Sequence, residues 1–184
     1  MFGKHDFSET SLNDYFTIQN GYAFSSSEYT EEGIRVIRIS NVQRGEIVDK
    51  NPVFVEKVSE EFLLQENDIL VSLTGDVGRV GLLTNKFLPA ALNQRVACLR
   101  RRREEDNIDY LFAALNNDTF EQDCVESANS GLGRNNLSTE WLKRYKIPSP
   151  DKKIATAFAD YVRSIDKLKF AFYRKNTPAK THRG

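Results

Sequence analysis

Three adjacent side chains, Asn93, Gln94 and Arg95, have the chemistry of a reader and not of a catalyst. Amides and guanidinium groups are planar and present donors and acceptors in pairs, so Asn and Gln match the edge of adenine and Arg that of guanine. The same residues suit an ordinary turn before a strand, since Asn is a turn former. Context has to separate the two readings. Three further stretches have related chemistry. Gly21-Tyr22-Ala23-Phe24-Ser25-Ser26-Ser27 mixes aromatics with small hydroxyl residues. Thr74 and Gly75 open a Gly75-Asp76-Val77-Gly78 turn, whose N–H groups could hold a phosphate or simply close a hairpin. Ser130-Gly131-Leu132-Gly133-Arg134-Asn135-Asn136 is polar apart from Leu132.

Catalytic patterns are missing. The Gly75-Asp76-Val77-Gly78 turn leads into a strand pattern, whereas a nucleotide or methyl-donor site needs a glycine-rich turn into a helix. No Asn-Pro-Pro-aromatic tetrapeptide, Gly-x-Ser-x-Gly, histidine beside a nucleophile or nuclease-type carboxylate pattern is present. His5 and His182 stand near the ends, and Cys98 and Cys124 lie in apolar patterns, which gives neither metal-ligand spacing nor a disulfide framework. The expectation is a non-enzymatic protein with no cofactor and no metal.

Composition agrees with a soluble, globular chain: 184 residues, 40% hydrophobic and 28% charged. No run reaches the length of a membrane span and the start lacks a signal-peptide core, so a cytoplasmic location is expected. The 26 basic and 26 acidic residues cancel, although a nucleic-acid binder usually has a basic excess. Their distribution is uneven. Arg35, Arg38, Arg44, Arg79, Arg95 and Arg134 fall in or beside strands and loops, while acids gather at 28–32 and 56–66. The run Arg100-Arg101-Arg102-Arg103 is followed at once by Glu104, Glu105 and Asp106, so phosphate contact and a self-neutralised strand end both stay open.

The elements that must position these groups follow from periodicity. A short helix is expected over 11–18, strands over 34–39, 46–48, 53–55, 68–75 and 79–84, and the longest strand over 93–101. The period then switches to 3.6. Ile108, Leu111, Phe112 and Leu115 mark one helix, and Phe120 and Cys124 a second, broken near residues 116–118. Residues 127–136 read as a loop, Ser138 as the cap of a helical turn carrying Trp141 and Leu142, and 145–147 as a last strand. The fold class is α+β, with a strongly bent, mostly antiparallel or mixed sheet plus short helices.

A different pattern occupies the tail. Ile154, Phe158, Tyr161, Ile165, Leu168 and Phe172 are spaced 4, 3, 4, 3 and 4, the heptad seam of a coiled coil. A helix over 151–176 would be roughly 39 Å long at about 1.5 Å per residue, enough to serve as an arm. The expected organisation is a recognition domain over 1–147, a helical spacer or dimerisation arm over 148–177 and a frayed tail over 178–184.

In order and spacing these stretches resemble a target recognition domain of the specificity subunit of type I restriction-modification enzymes. The matching residues are 21–29, Gly33-Ile34-Arg35-Val36-Ile37-Arg38-Ile39-Ser40-Asn41-Val42, 68–75, Leu92-Asn93-Gln94-Arg95-Val96, Ser130-Gly131, Asn135-Asn136-Leu137-Ser138, Ile147-Pro148 with Pro150, and Ile154-Ala155. They span roughly residues 10 to 172. The resemblance implies a non-catalytic reader of double-stranded DNA that directs DNA adenine methyltransferase subunits to a site. It implies DNA contact by Tyr22, Phe24, Ser25, Ser26, Arg38, Asn41, Thr74, Gly75, Arg79, Asn93, Gln94, Arg95, Arg134, Asn135 and Asn136.

Two departures stand out. Full-length specificity subunits carry two recognition domains and this chain carries one, so it would be a fragment or a half-subunit. A half-subunit would pair with a second copy or a second recognition domain through the 154–172 seam. Asp151, Lys152 and Lys153 also stand where the family has a Gln ahead of the Ile-Ala pair. Alternatives from other classes are the recognition domain of a larger methyltransferase-restriction fusion, and a protein-interaction module of the same fold without DNA binding.

Overall fold

The computed structural model describes residues 7–130 and 135–176, without the side chains of Asp166 and residues 169–176. The described chain opens with β1 (Glu9–Ser11), a single turn α1 (Leu12–Tyr15) and β2 (Phe16–Asn20). Short strands follow: β3 (Tyr29–Thr30), β4 (Ile34–Ile37), β5 (Val42–Gln43), β6 (Glu46–Ile47) and β7 (Phe54–Val55). Next come β8 (Ile69–Ser72), β9 (Val80–Leu82), β10 (Ala90–Leu92) and β11 (Val96–Arg101). Helices α2 (Ile108–Leu115), α3 (Asp118–Ser130) and α4 (Thr139–Arg144), strand β12 (Lys146–Pro148) and helix α5 (Lys152–Asn176) complete it.

The single bent sheet expected from the sequence is divided. One antiparallel sheet has the order β2-β11-β8-β9 and a second the order β10-β4-β7-β3, in which β10 and β4 are parallel. Two ribbons, β1-β12 and β5-β6, flank them. The division falls at Asn93, Gln94 and Arg95: β10 ends at Leu92 in one sheet and β11 begins at Val96 in the other. Burying this triplet in either sheet would strand its polar groups, so the chain turns there. For the same reason the strand expected from residue 93 starts only at Val96.

Residues of β8 and β11 are buried on both faces. Ile69, Val71, Ala97 and Leu99 pack with residues of the helices, while Leu70, Val96 and Cys98 pack with Ile37, Leu83, Phe87 and Leu92. These continuous apolar runs therefore form the middle layer, helices on one side and the second sheet on the other.

Two local expectations fail. Over 11–18 only one helical turn forms, because Phe16 and Ile18 alternate with Thr17 and Gln19 and pair with β11. The loop expected from residue 127 is helical through Ser130, with Ala128 buried one turn after Cys124. Ser138 does cap α4, its Oγ accepting the Trp141 N–H at 3.1 Å.

Helix α5 starts docked. Asp151, where the family's Gln was expected, caps it by accepting the Ile154 N–H at 2.9 Å. Ala155 and Ala159 are buried, Phe158 meets Tyr110 edge-on at 5.8 Å and Arg163 pairs with Asp109 at 3.1 Å. The seam residues mostly face outward: Ile154, Phe158, Tyr161 and Leu168 are exposed and Ile165 half-buried, while the Phe172 side chain lies outside the described residues. The buried alanine face, with Phe158 of the seam at its edge, holds the start of the helix to its own domain.

Candidate nucleic-acid interface

Main-chain hydrogen bonds tie the triplet to its neighbours. The Asn93 N–H donates to Ile37 O at 3.2 Å, the Gln94 N–H to Tyr22 O at 2.9 Å, and the Tyr22 N–H to Leu92 O at 2.8 Å. Arg95 O accepts the Leu73 N–H at 3.0 Å, and Leu73 O in turn accepts the Leu137 N–H at 2.8 Å. Thr74 and Asn136 form a bridge beside these bonds. Four segments distant in sequence thereby meet at one turn. Gly21 permits the approach, since a Cβ there would collide with the backbone of Leu92 and Asn93. Gly75 has φ 68°, the left-handed region that favours glycine.

These segments enclose an open groove of about 1000 Å³ lined by Asn20, Thr74, Gly75, Gln94, Arg95, Asn135 and Asn136, with the apolar Ile39, Leu73 and Leu137. Among the described residues the lining has four primary amides, one guanidinium and no carboxylate. Among the described residues, the side chains of Asn20, Gln94, Arg95, Asn135 and Asn136 have no hydrogen-bond or ion-pair partner. The fold does not use them. Their donors and acceptors face solvent at one place, which is what reading base edges requires and what an acid-base, nucleophilic or metal-assisted reaction does not.

Six of the residues singled out in the sequence, Thr74, Gly75, Gln94, Arg95, Asn135 and Asn136, thus come together. Tyr22 adjoins them through its main chain; its ring is 42% exposed, 4.9 Å edge-on from Phe24 and 5.6 Å from Phe62. Ser25 shapes the same loop, accepting the Ser27 N–H on its Oγ and donating its own N–H to Glu28 at 2.6 Å, with Ser26 in the turn between. Arg134 lies outside the described residues.

Other candidates stand outside the groove, engaged within the fold. Asn41 is 4% exposed and its amide is fully engaged, accepting from the Arg38 N–H and donating to Val48 O and Lys50 O. Arg38 donates to Asn51 O at 2.5 Å, and Arg79 is held by Gln43 at 2.9 Å and Asp76 at 2.9 Å. Asn93 turns its Oδ1 onto the Arg95 N–H at 3.3 Å and braces the turn. These side chains build the loops around the groove and do not line it.

Asn20 and Ile39 escaped the sequence reading. Asn is disfavoured within strands, and Asn20 directly before a glycine was the available signal. Its place in the groove follows from the register of β2 on β11, with Asn20 opposite Ala97. Burial pushes the thiols of Cys98 and Cys124 well up from their ordinary values, so both behave as small hydrophobes. Among the described residues no three His, Cys, Asp or Glu are placed to hold a metal ion, and no helix is long and apolar enough to cross a membrane.

Comparison with known proteins gives the chain its family. The chain is 28% identical over 171 residues to the type I restriction enzyme MjaVIII specificity subunit of Methanocaldococcus jannaschii, covering 89% of this chain and 40% of the relative. It is 27% identical over 171 residues to the EcoAI specificity subunit of Escherichia coli, covering 86% of this chain and 29% of the relative. In fold it resembles the crystal structure of the HsdS subunit from Thermoanaerobacter tengcongensis, with a TM-score of 0.69 at 17% identity, covering 97% of this chain and 42% of that one. The chain therefore spans well under half the length of these proteins. Residues 4–177 match the family model described as the type I restriction modification DNA specificity domain, and the chain belongs to that family.

Proposed function

We propose that this chain is a non-catalytic, sequence-specific DNA-recognition module of a type I restriction-modification system. The groove takes duplex DNA, and Gln94, Arg95, Asn135 and Asn136 contact base edges while the Thr74-Gly75 turn stands near phosphate. This division follows the rule that phosphate contacts position and base contacts specify. The observation that carries the reading is the convergence, among the described residues, of four unpartnered amides and one unpartnered arginine with no carboxylate in the groove lining. Outside the groove, α5 is the spacer, and its outward seam of Ile154, Phe158, Tyr161, Ile165 and Leu168 pairs with a second recognition unit. That unit is another copy or another domain, and DNA adenine methyltransferase subunits join the assembly.

Selection from a random duplex library with the purified chain, with and without a methyltransferase partner, tests the reading. The expected result is one short preferred sequence; an unselective outcome overturns it. A second reading, an interaction module of the same fold without DNA binding, is favoured by the internal pairing of most arginines outside the groove. Phosphate contacts release counterions, so an absence of duplex DNA binding at low ionic strength, or binding with no salt dependence, would select the second reading.

A further inference from the structure

Asn20 is a groove residue whose side-chain chemistry the fold does not use. As the last residue of β2 it pairs with Ala97 through the main chain, which any residue could do. Its amide has no partner among the described residues and faces the groove with Gln94 and Arg95. Its position is rigid. Gly21 sits against the Leu92-Asn93 backbone with no room for a Cβ, and Tyr22 bonds to both Leu92 O at 2.8 Å and the Gln94 N–H at 2.9 Å. A main chain pinned in this way at a strand end holds the Asn20 Cα at a set distance from Gln94 and Arg95 and loses little further freedom on binding.

We propose that Asn20 is a specificity-determining residue that reads one adenine from the major groove, an inference that rests on the DNA-reading function proposed above. Its Nδ2–H donates to adenine N7 and its Oδ1 accepts the N6–H, a pair of groups that the minor groove does not offer together. Asn20 therefore reads a position of its own, separate from the one read by Gln94.

The test uses the full chain and the duplex that the wild-type protein selects from the random library. Each adenine of that duplex is replaced singly by 7-deaza-adenine, which removes only the N7 acceptor. At one position the analogue is expected to weaken wild-type binding by roughly 5- to 30-fold and to leave Asn20→Ala and Asn20→Asp unaffected. Library selection with Asn20→Ala is expected to lose preference at that position alone, with thermal melting unchanged. An Asn20→Ala protein that selects the wild-type sequence and keeps the wild-type response to every analogue overturns the proposal, as does an equal loss on selected and scrambled duplexes. A wild-type chain that selects no sequence overturns the DNA-reading function itself and this assignment with it.

Discussion

Strand β11 has arginine at both ends, and the two ends differ in what their guanidinium groups do. At the far end all four of the run are engaged. Arg100 grips the buried Asp68 at 2.9 and 2.7 Å, Arg101 donates to Glu104 O and Asp106 O, Arg102 to Asn13 O and Phe16 O, and Arg103 to the Asp106 carboxylate. At the near end Arg95, single in sequence, has no side-chain partner among the described residues and lines the groove. Density of charge in a sequence therefore does not mark the end at which this strand leaves a guanidinium unpaired. An arginine is free to bind a partner only if the fold has left its donors unused, and the four-arginine run closes a strand end instead.

The largest test of this contrast is Asp68→Ala. Removing one partner of a buried pair leaves the other charge uncompensated, and the loss of stability should be about 3 kcal/mol, the low end of the range because Arg100 is partly open to solvent. Chemical denaturation measures it, and the protein that remains folded should keep the wild-type base preference. Next in size is Gln94→Ala, expected to weaken binding to the selected duplex by about 1–3 kcal/mol while barely changing melting. Equal losses on selected and scrambled DNA would remove Gln94 from the reading set.

A smaller difference separates the two ends directly. Arg95→Ala should weaken binding to the selected duplex and relax the preference at one position, whereas Arg103→Ala should leave both as they are. Equal behaviour of the two variants on selected and scrambled duplexes would break the comparison. The smallest effect is alkaline. Burial, with Tyr15 close by, raises the Tyr110 hydroxyl from the ordinary 10 to about 12, and that hydroxyl donates to Pro148 O at 2.6 Å. Since the folded protein holds this proton more tightly, the contribution is complete below pH 10 and disappears as pH rises toward about 12. Denaturation curves across that window should show the decline in the wild type and not in Tyr110→Phe.

Helix α5 shows how far a periodic pattern can be read. The heptad spacing from Ile154 to Phe172 was visible because a helix repeats its face every three or four residues. The pattern marks a face that could take a partner. It does not mark Ala155 and Ala159, small side chains off the seam, as the face that packs against α2. In the groove, Thr74, Gly75, Gln94, Arg95, Asn135 and Asn136 were legible by type, whereas Asn41 has the same amide and is buried among the backbone carbonyls of its own loop. Side-chain chemistry is local, but whether an amide is consumed depends on which backbone groups the fold brings within 3 Å.

By itself the sequence determined the α+β class, most strands and helices, the absence of recognisable catalytic patterns, and the kinds of side chain offered to a partner. These follow from periodicity and residue type, which act over a few neighbouring positions. Tertiary structure alone decided that the apolar run interrupted at residues 93–95 belongs to two sheets and that the crossing between them carries the groove. It also decided that Asn20 joins Gln94 and Arg95 there. The cause is long-range pairing: β2, β8 and β11 meet across tens of residues, and only their register determines which polar groups are satisfied within the fold and which stay open to a partner.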